Sequence, residues 1–151
     1  MKNLIFLTFI FTFNASANLA INLSNNDIFI QSEKIEILKE KNEIHFMKKL
    51  KIKNDYIVIS ADSAIYNNND KVLNISGNLA EITSSSSNSP FAGKAKNIYL
   101  FNDNSIELSG DAYFENDGIK FKSSSIKFNQ QNGKVLNLSL IHISEPTRPS
   151  T

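Results

Sequence analysis

The side chains that could do chemistry are few in kind. Of the two His, only His45 lies in the body of the chain, between Ile44 and Phe46. In an alternating segment that places it on the face opposite the apolar one. A lone outward His gives no Ser–His–Asp triad and no His-rich metal site. Cys is absent, so a thiol nucleophile, a Cys-based zinc site and a disulfide scaffold are excluded. Asp103-Asn104 and Asp117-Gly118 read as turns, because the alternating acidic spacing of a calcium loop is missing. No glycine-rich phosphate loop occurs. The one basic cluster is Lys48-Lys49-Leu50-Lys51-Ile52-Lys53. Alternation sets Lys49, Lys51 and Lys53 on one face, either to meet phosphates or as a solvated strand face that blunts an edge. No catalytic, cofactor-binding or metal site is expected. The chemistry left to the chain is that of its apolar side chains.

Those side chains are positioned by strands. Apolar residues two apart recur as Ile28/Ile30, Ile35/Ile37, Ile44/Phe46, Leu50/Ile52, Ile57/Ile59, Leu73/Ile75, Ile98/Leu100, Ile106/Leu108, Ile119/Phe121 and Ile126/Phe128. Turn clusters separate them, such as Asn54-Asp55, Asn67-Asn68-Asn69-Asp70, Asn102-Asp103-Asn104 and Asn116-Asp117-Gly118. No sustained helical stripe follows the N-terminal segment. The pattern predicts an all-β chain of roughly ten to twelve short antiparallel strands, each of about 4–8 residues.

The body also repeats. Ile57 to Tyr66, a turn, and Val72 to Leu79 are echoed by Gly93 to Leu100, a turn, and Ser105 to Ala112. An earlier copy starts at Ile30 and a partial later one at Phe121. The unit is a hairpin of roughly 30 residues, which cannot bury its own apolar face and must stack on its neighbours. Gly77 and Gly110 close corresponding Ser-Gly motifs. They read as bend glycines, since Gly inside an alternating strand marks a bulge or bend. The parity slip between Ile75 and Ile82 agrees. Ala61, Ala95 and Ser123 mark the other bend of each unit, or simply tight packing. Lys48 stands where the repeat expects Gly, so the first bend is expected to be less sharp.

The ends differ from the body. Lys2, an apolar run from Leu4 to Phe13 and Ala15-Ser16-Ala17 read as a secretory signal over residues 1–17, cleaved after Ala17. The run is too short to span a bilayer, which needs about 20 apolar residues. From Leu138 the chain uses its only Arg, two of its three Pro and its second His. That stretch resembles translated sequencing adapter, so residues 138–151 are expected to be a non-native tail. The remaining domain, residues 18–137, is then C-terminally incomplete. At 151 residues there is one domain's worth of chain, with a formal net charge of +1. Such balance argues against nucleic acid as partner and against a polybasic membrane anchor.

The order of motifs (I-x-S/A-D/E-x-x-x-Y/I, turn, V/I-x-L/I-S-G-N/D-L/A) resembles the organic-solvent-tolerance (OstA-like) family of lipopolysaccharide-transport β-jellyrolls, and most of all its soluble periplasmic bridge members. The resemblance covers about Ile28 to Val135. It implies an open β-jellyroll of repeated antiparallel hairpins, a periplasmic location, and no enzymatic activity. It implies lipopolysaccharide as partner, its lipid A acyl chains held between two sheets. It also implies head-to-tail homo-oligomers and edge-strand pairing with homologous jellyrolls of inner- and outer-membrane transport components. Residues inward by parity are then the candidate lipid lining: Ile35, Ile37, Ile44, Phe46, Ile57, Ile59, Tyr66, Leu73, Ile75, Ile98, Leu100, Ile106, Leu108, Phe114, Phe121 and Phe128. Each is equally at home in a plain hydrophobic core. The alternatives are the N-terminal jellyroll of a larger outer-membrane translocon, or a structural β-repeat that binds no lipid.

Overall fold

The computed structural model describes residues 16–139 except Ser24. Most of the expected signal segment and most of the expected tail therefore lie outside the described residues. At the boundaries, Ala17 pairs with Ser32, and Leu138 and Ser139 pair with Ile126 and Ser125.

Ten strands follow one another among the described residues: β1 (Ala17–Leu23), β2 (Asn26–Ser32), β3 (Lys34–Leu38), β4 (Glu43–Lys53), β5 (Ile57–Asn67), β6 (Val72–Ser84), β7 (Phe91–Leu100), β8 (Ser105–Asn116), β9 (Ile119–Asn129) and β10 (Val135–Ser139). Every pairing is antiparallel. The order is β1-β2-β4-β5-β6-β7-β8-β9-β10, with β3 also on β4. Turn chemistry explains the connections. Asn54 Oδ1 accepts from the Tyr56 and Ile57 N–H groups at 2.8 and 2.9 Å, and Asn67 Oδ1 from Asn69 and Asp70 at 2.9 and 3.1 Å. Asn25, Asn42, Asn104 and Asp117 take the positive φ that their turns require.

The strands from β4 to β9 are longer than the alternation predicts, at 10–13 residues. Each joins two of the expected short segments across a break in register. The breaks fall at Met47/Leu50, Ser60/Ser63, Ser76/Ala80, Lys94/Asn97 and Ser109/Ala112. They line up from strand to strand as a single seam. Glu33, between β2 and β3, continues it. Gly77 and Gly110 lie in the seam, as do Ala61 and Ala95.

At the first bend Lys48, where the repeat expects Gly, takes a glycine-like conformation. Lys48 and Lys49 both adopt left-handed backbone, φ 66° and 48°, the same two-residue device as Gly110 (82°) and Asp111 (48°). Local contacts hold it: Glu33 N–H donates to Lys48 O at 3.0 Å, and Lys49 Nζ meets the Glu33 carboxylate at 2.8 Å. Gly77 serves differently. A Cβ there would lie 3.1 Å from Asp62 Oδ2 and 3.2 Å from Asp62 N, so it is Gly for close approach.

The seam divides the sheet into two walls. The front wall holds β1, β2, and residues 50–53, 57–60, 80–84, 91–94, 112–116 and 119–123. The back wall holds β3, residues 43–47, 63–67, 72–76, 97–100, 105–109 and 125–129, and β10. The walls face each other over one core. Phe114 of the front wall stacks on Phe128 of the back wall with centroids 4.2 Å apart, and Phe91 meets Phe128 at 5.3 Å. A Cβ on Gly93 of the front wall would come within 2.8 Å of Leu108 Cδ1 of the back wall.

Because Gly110 combines φ +82° with Lys96 Cβ 3.1 Å from a would-be Cβ, Gly110→Ala is expected to cost about 1–2 kcal/mol. Lys48→Gly is expected to shift stability less and in the opposite sense. Urea unfolding of the two variants checks both.

Candidate functional site

Cross-strand pairing turns the alternation into continuous apolar rows. On the back wall, Ile37, Ile44, Tyr66, Leu73, Leu100, Ile106, Phe128 and Val135 stand side by side. A second row there is Ile35, Phe46, Ala64, Ile75, Ile98, Leu108, Ile126 and Leu138. The front wall answers with Leu19, Ile30, Ile52, Ile59, Ile82, Gly93, Phe114 and Phe121.

Of the candidate lining residues, Phe46, Ile57, Ile59, Tyr66, Leu73, Ile75, Ile98, Leu100, Ile106, Leu108, Phe114 and Phe128 are buried between the walls. Burial holds the Tyr66 hydroxyl above its ordinary pKa. Ile35, Ile44 and Phe121 are half-buried, and Ile37 is 62% exposed. Outside the candidate lining, Ile21, Leu23, Ile28, Ile30, Leu50, Ile52, Ile82 and Phe91 are buried on the front wall too, of which the alternation had marked Ile28, Ile30, Leu50 and Ile52. Ile82 escaped because the bulge at residues 77–79 reverses the parity of β6. Pairing opposite Ile59 is the signal that finds it.

The uncovered inner-face residues cluster at two opposite corners. One is the back wall at the β3 end, with Ile35, Ile37 and Ile44. The other is the front wall at the β9 end, with Phe121 and the 60% exposed Ile119. Hydrogen bonds explain the offset. Along the margin away from the seam, Asn26 Nδ2 of β2 donates to Asn104 Oδ1 in the β7–β8 turn at 3.2 Å. Asn54 Nδ2, after β4, donates to Gln130 Oε1, after β9, at 3.2 Å. Gln130 Nε2 donates to the same Asn104 Oδ1 at 2.8 Å, and Asn116 Nδ2 to Gly133 O at 2.9 Å. The front wall thus meets the later half of the back wall. The β3–β4 and β5–β6 turns bond to each other instead, Asn42 to Asn69 at 2.7 Å and Asn68 to Asn42 at 3.1 Å.

Charges lie outside the slot. Lys51 and Lys53 line a shallow outer groove with Asn18, Phe29 and Gln31, and Lys49 pairs with Glu33. His45 is also outward, in the outer row between Glu36 and Ile65, its Nε2 2.8 Å from Glu43 Oε2. The hydroxyl and N–H of Ser105 both donate to Asp103, and the hydroxyl first of all holds its carboxyl below the usual range.

The folded double wall and its apolar rows can now be set beside known proteins. The family described as LptA/(LptD N-terminal domain) LPS transport protein matches residues 18–134. The chain belongs to this family. Family members of the LptA type are carrier or bridge proteins for lipopolysaccharide, not enzymes. Among solved structures, the chain is similar to LptH from Pseudomonas aeruginosa, described as the LptA-homologous periplasmic component of the lipopolysaccharide transport device. The TM-score is 0.66 at 15% identity, over 86% of this chain and 95% of that one. At that identity the likeness shows a shared fold, the LptA-like β-jellyroll. A comparison with curated proteins finds no match.

Phe114 is fully buried and stacks on Phe128 across the walls. Phe114→Ala is therefore expected to cost about 3–5 kcal/mol, read by thermal or urea unfolding. Asp103 gives a pH signature. Its depressed pKa makes its contribution to stability fully present above the ordinary Asp pKa, and lost as pH falls through the folded value. An acid titration of stability should lose that component in Asp103→Asn.

Proposed function

We propose that this LptA-family chain is a periplasmic lipopolysaccharide carrier that holds acyl chains between its two walls and passes them to the next jellyroll. The observation that carries the reading is the run of unbroken apolar rows, left uncovered at opposite corners of opposite walls. Acyl chain leaving water gains about 0.8 kcal/mol per buried CH₂. Part of that gain is offset here, because the walls already touch and must separate to admit a chain. Similar rows along the whole slot give similar affinity at each step, so a lipid can move without a deep trap. Direction must come from outside the chain.

The two open corners suit stacking end to end. The projecting back wall of one copy, with Ile35, Ile37 and Ile44, can lie over the projecting front wall of the next, with Ile119 and Phe121. The outer edges of β3 and β1 at one end, and of β9 and β10 at the other, can pair by strand addition. The same edges fit the homologous jellyrolls of inner- and outer-membrane transport components. The N-terminal segment is consistent with export to the periplasm.

The family description also covers the N-terminal domain of LptD, which is the second reading. The gene's reading frame past the codon for Asn137 distinguishes them. A stop within a few tens of codons supports the bridge protein. Hundreds of further codons of alternating strands support the translocon domain.

A photoreactive residue at Ile37, and another at Leu108, is expected to crosslink purified lipopolysaccharide on the folded domain. No crosslink at either position, with native circular dichroism, ends the carrier reading. Ile37→Asp is expected to weaken self-association in sedimentation while leaving the monomer folded.

A further inference from the structure

The outer face of the front wall carries a basic patch that the slot does not use. Lys51 and Lys53 of β4 flank a groove of about 270 Å³, lined also by Asn18 of β1 and by Phe29, Ile30 and Gln31 of β2. Residues two apart on one strand face stand about 7 Å from each other, so the two ammonium groups can act together. Blunting a sheet edge does not explain them. Residues 51–53 pair with β2 on one side and β5 on the other, so they lie inside the sheet. Ion pairing does not explain them either. Elsewhere Lys94 stands opposite Glu81, Lys120 opposite Glu115 and Lys127 opposite Glu107, while Lys49 bonds to Glu33 and Lys96 to Asp111. The cross-strand neighbours of Lys51 are Gln31 and Ser60, and those of Lys53 are Phe29 and Val58. Neither ammonium group has a carboxylate partner among the described residues.

The rest of the groove is unengaged as well. Phe29 is 59% exposed, and neither lysine lies over its ring, whereas Lys94 covers Tyr113 at 5.5 Å and Lys127 covers Phe101 at 4.7 Å. The side-chain amides of Asn18 and Gln31 make no hydrogen bond among the described residues. Two cations, two amides and an open aromatic face together suit a phosphorylated sugar. The ammonium groups meet the phosphate oxygens, the amides bond to hydroxyls, and the ring packs on the apolar face of the sugar.

We propose that this groove holds the phosphorylated saccharide head of lipopolysaccharide while the acyl chains occupy the slot. The inference rests on the carrier reading and says where the head of the cargo lies. The groove spans β1, β2 and β4, the strands at one end of the front wall. The inner faces of the same strands carry Leu19, Ile30 and Ile52. At that end the back wall leaves Ile35, Ile37 and Ile44 uncovered. A lipid with its tails on these inner residues can turn its head round the β1 edge, because the groove lies within two strand spacings of it, roughly 10 Å. Strand addition on β1 closes that path, so the site serves a carrier whose β1 end is free. Exposed ion pairs are weak and screened by salt. The head is therefore steered and held without being trapped.

Lys51→Gln with Lys53→Gln removes both cations from the full chain. Lys120→Gln with Lys122→Gln removes equal charge from the far end of the same outer face and serves as control. Binding of purified lipopolysaccharide, and of the same lipid enzymatically dephosphorylated, is measured at low ionic strength, with circular dichroism confirming the fold of each variant. The unaltered chain is expected to prefer the phosphorylated form roughly tenfold. That preference is expected to vanish in the Lys51/Lys53 variant and to persist in the control. Equal binding of the two forms by the unaltered chain overturns the head site and leaves the carrier reading standing. So does a preference that survives in the Lys51/Lys53 variant or is lost equally in the control. Co-sedimentation with phosphatidylglycerol vesicles that depends on Lys51 and Lys53 makes the patch a bilayer contact and overturns the head site. An unaltered chain that binds neither form of lipopolysaccharide overturns both readings.

Discussion

The whole structure depends on a break in strand register that recurs at the same level from β4 to β9. A flat antiparallel sheet of this length would leave an apolar face several strands wide in water. Aligned bulges let the sheet fold over and cover that face with itself. The device does not depend on one residue type. Lys48-Lys49 and Gly110-Asp111 use paired left-handed residues, whereas Gly77 makes room for Asp62. Non-glycine residues in that region cost about 1–2 kcal/mol each. The fold sustains that at Lys48 and Lys49 because Glu33 bonds to the backbone of one and the ammonium of the other.

Folding the sheet on itself also decides how the inner face is shared. The hydrogen bonds of the free margin match the front wall to the later half of the back wall. Each wall therefore overhangs at one end. The overhangs carry large apolar residues, Ile37 at 62% and Ile119 at 60% exposed. In an isolated monomer both leave apolar surface in water. The slot itself is not uniform. Its β3 end is mostly Ile, while its β9 end is built around Phe91, Phe114 and Phe128. One end thus presents flexible aliphatic side chains and the other stiff stacked rings.

Much of this was legible in the sequence, because period two is a strong signal when one face is buried. The all-β class, the antiparallel pairing and most of the back-wall rows follow from it. So does the outward placement of His45. What was not legible has a common cause. The parity slip between Ile75 and Ile82 marked the bend at Gly77, but parity does not say which half-strands face one another across a bend, so Ile82, Ile28, Ile30, Leu50 and Ile52 were not assigned to the slot. The left-handed backbone of Lys48 and Lys49 was not legible either, and the Glu33 that bonds to both comes from another part of the chain. The hydrogen bonds across the free margin were invisible for the same reason. Asn54 and Gln130 are 76 residues apart, and each alone looks like an ordinary turn residue.

The asymmetry between the two margins ties the fold to a carrier's physical problem. A carrier must bury a long apolar chain and yet release it. A closed barrel would bury the chain well, but its backbone ladders would oppose lateral opening. Two separate sheets would open easily, but nothing would hold their spacing. One sheet folded at a bulged seam avoids both difficulties. The continuous backbone fixes the walls at one margin, and about a kilocalorie per amide bond closes the other. The inner face is largely apolar, so closure is also favoured by burial. The seam makes the core possible, and it leaves the opposite margin to be closed by side-chain hydrogen bonds and burial alone.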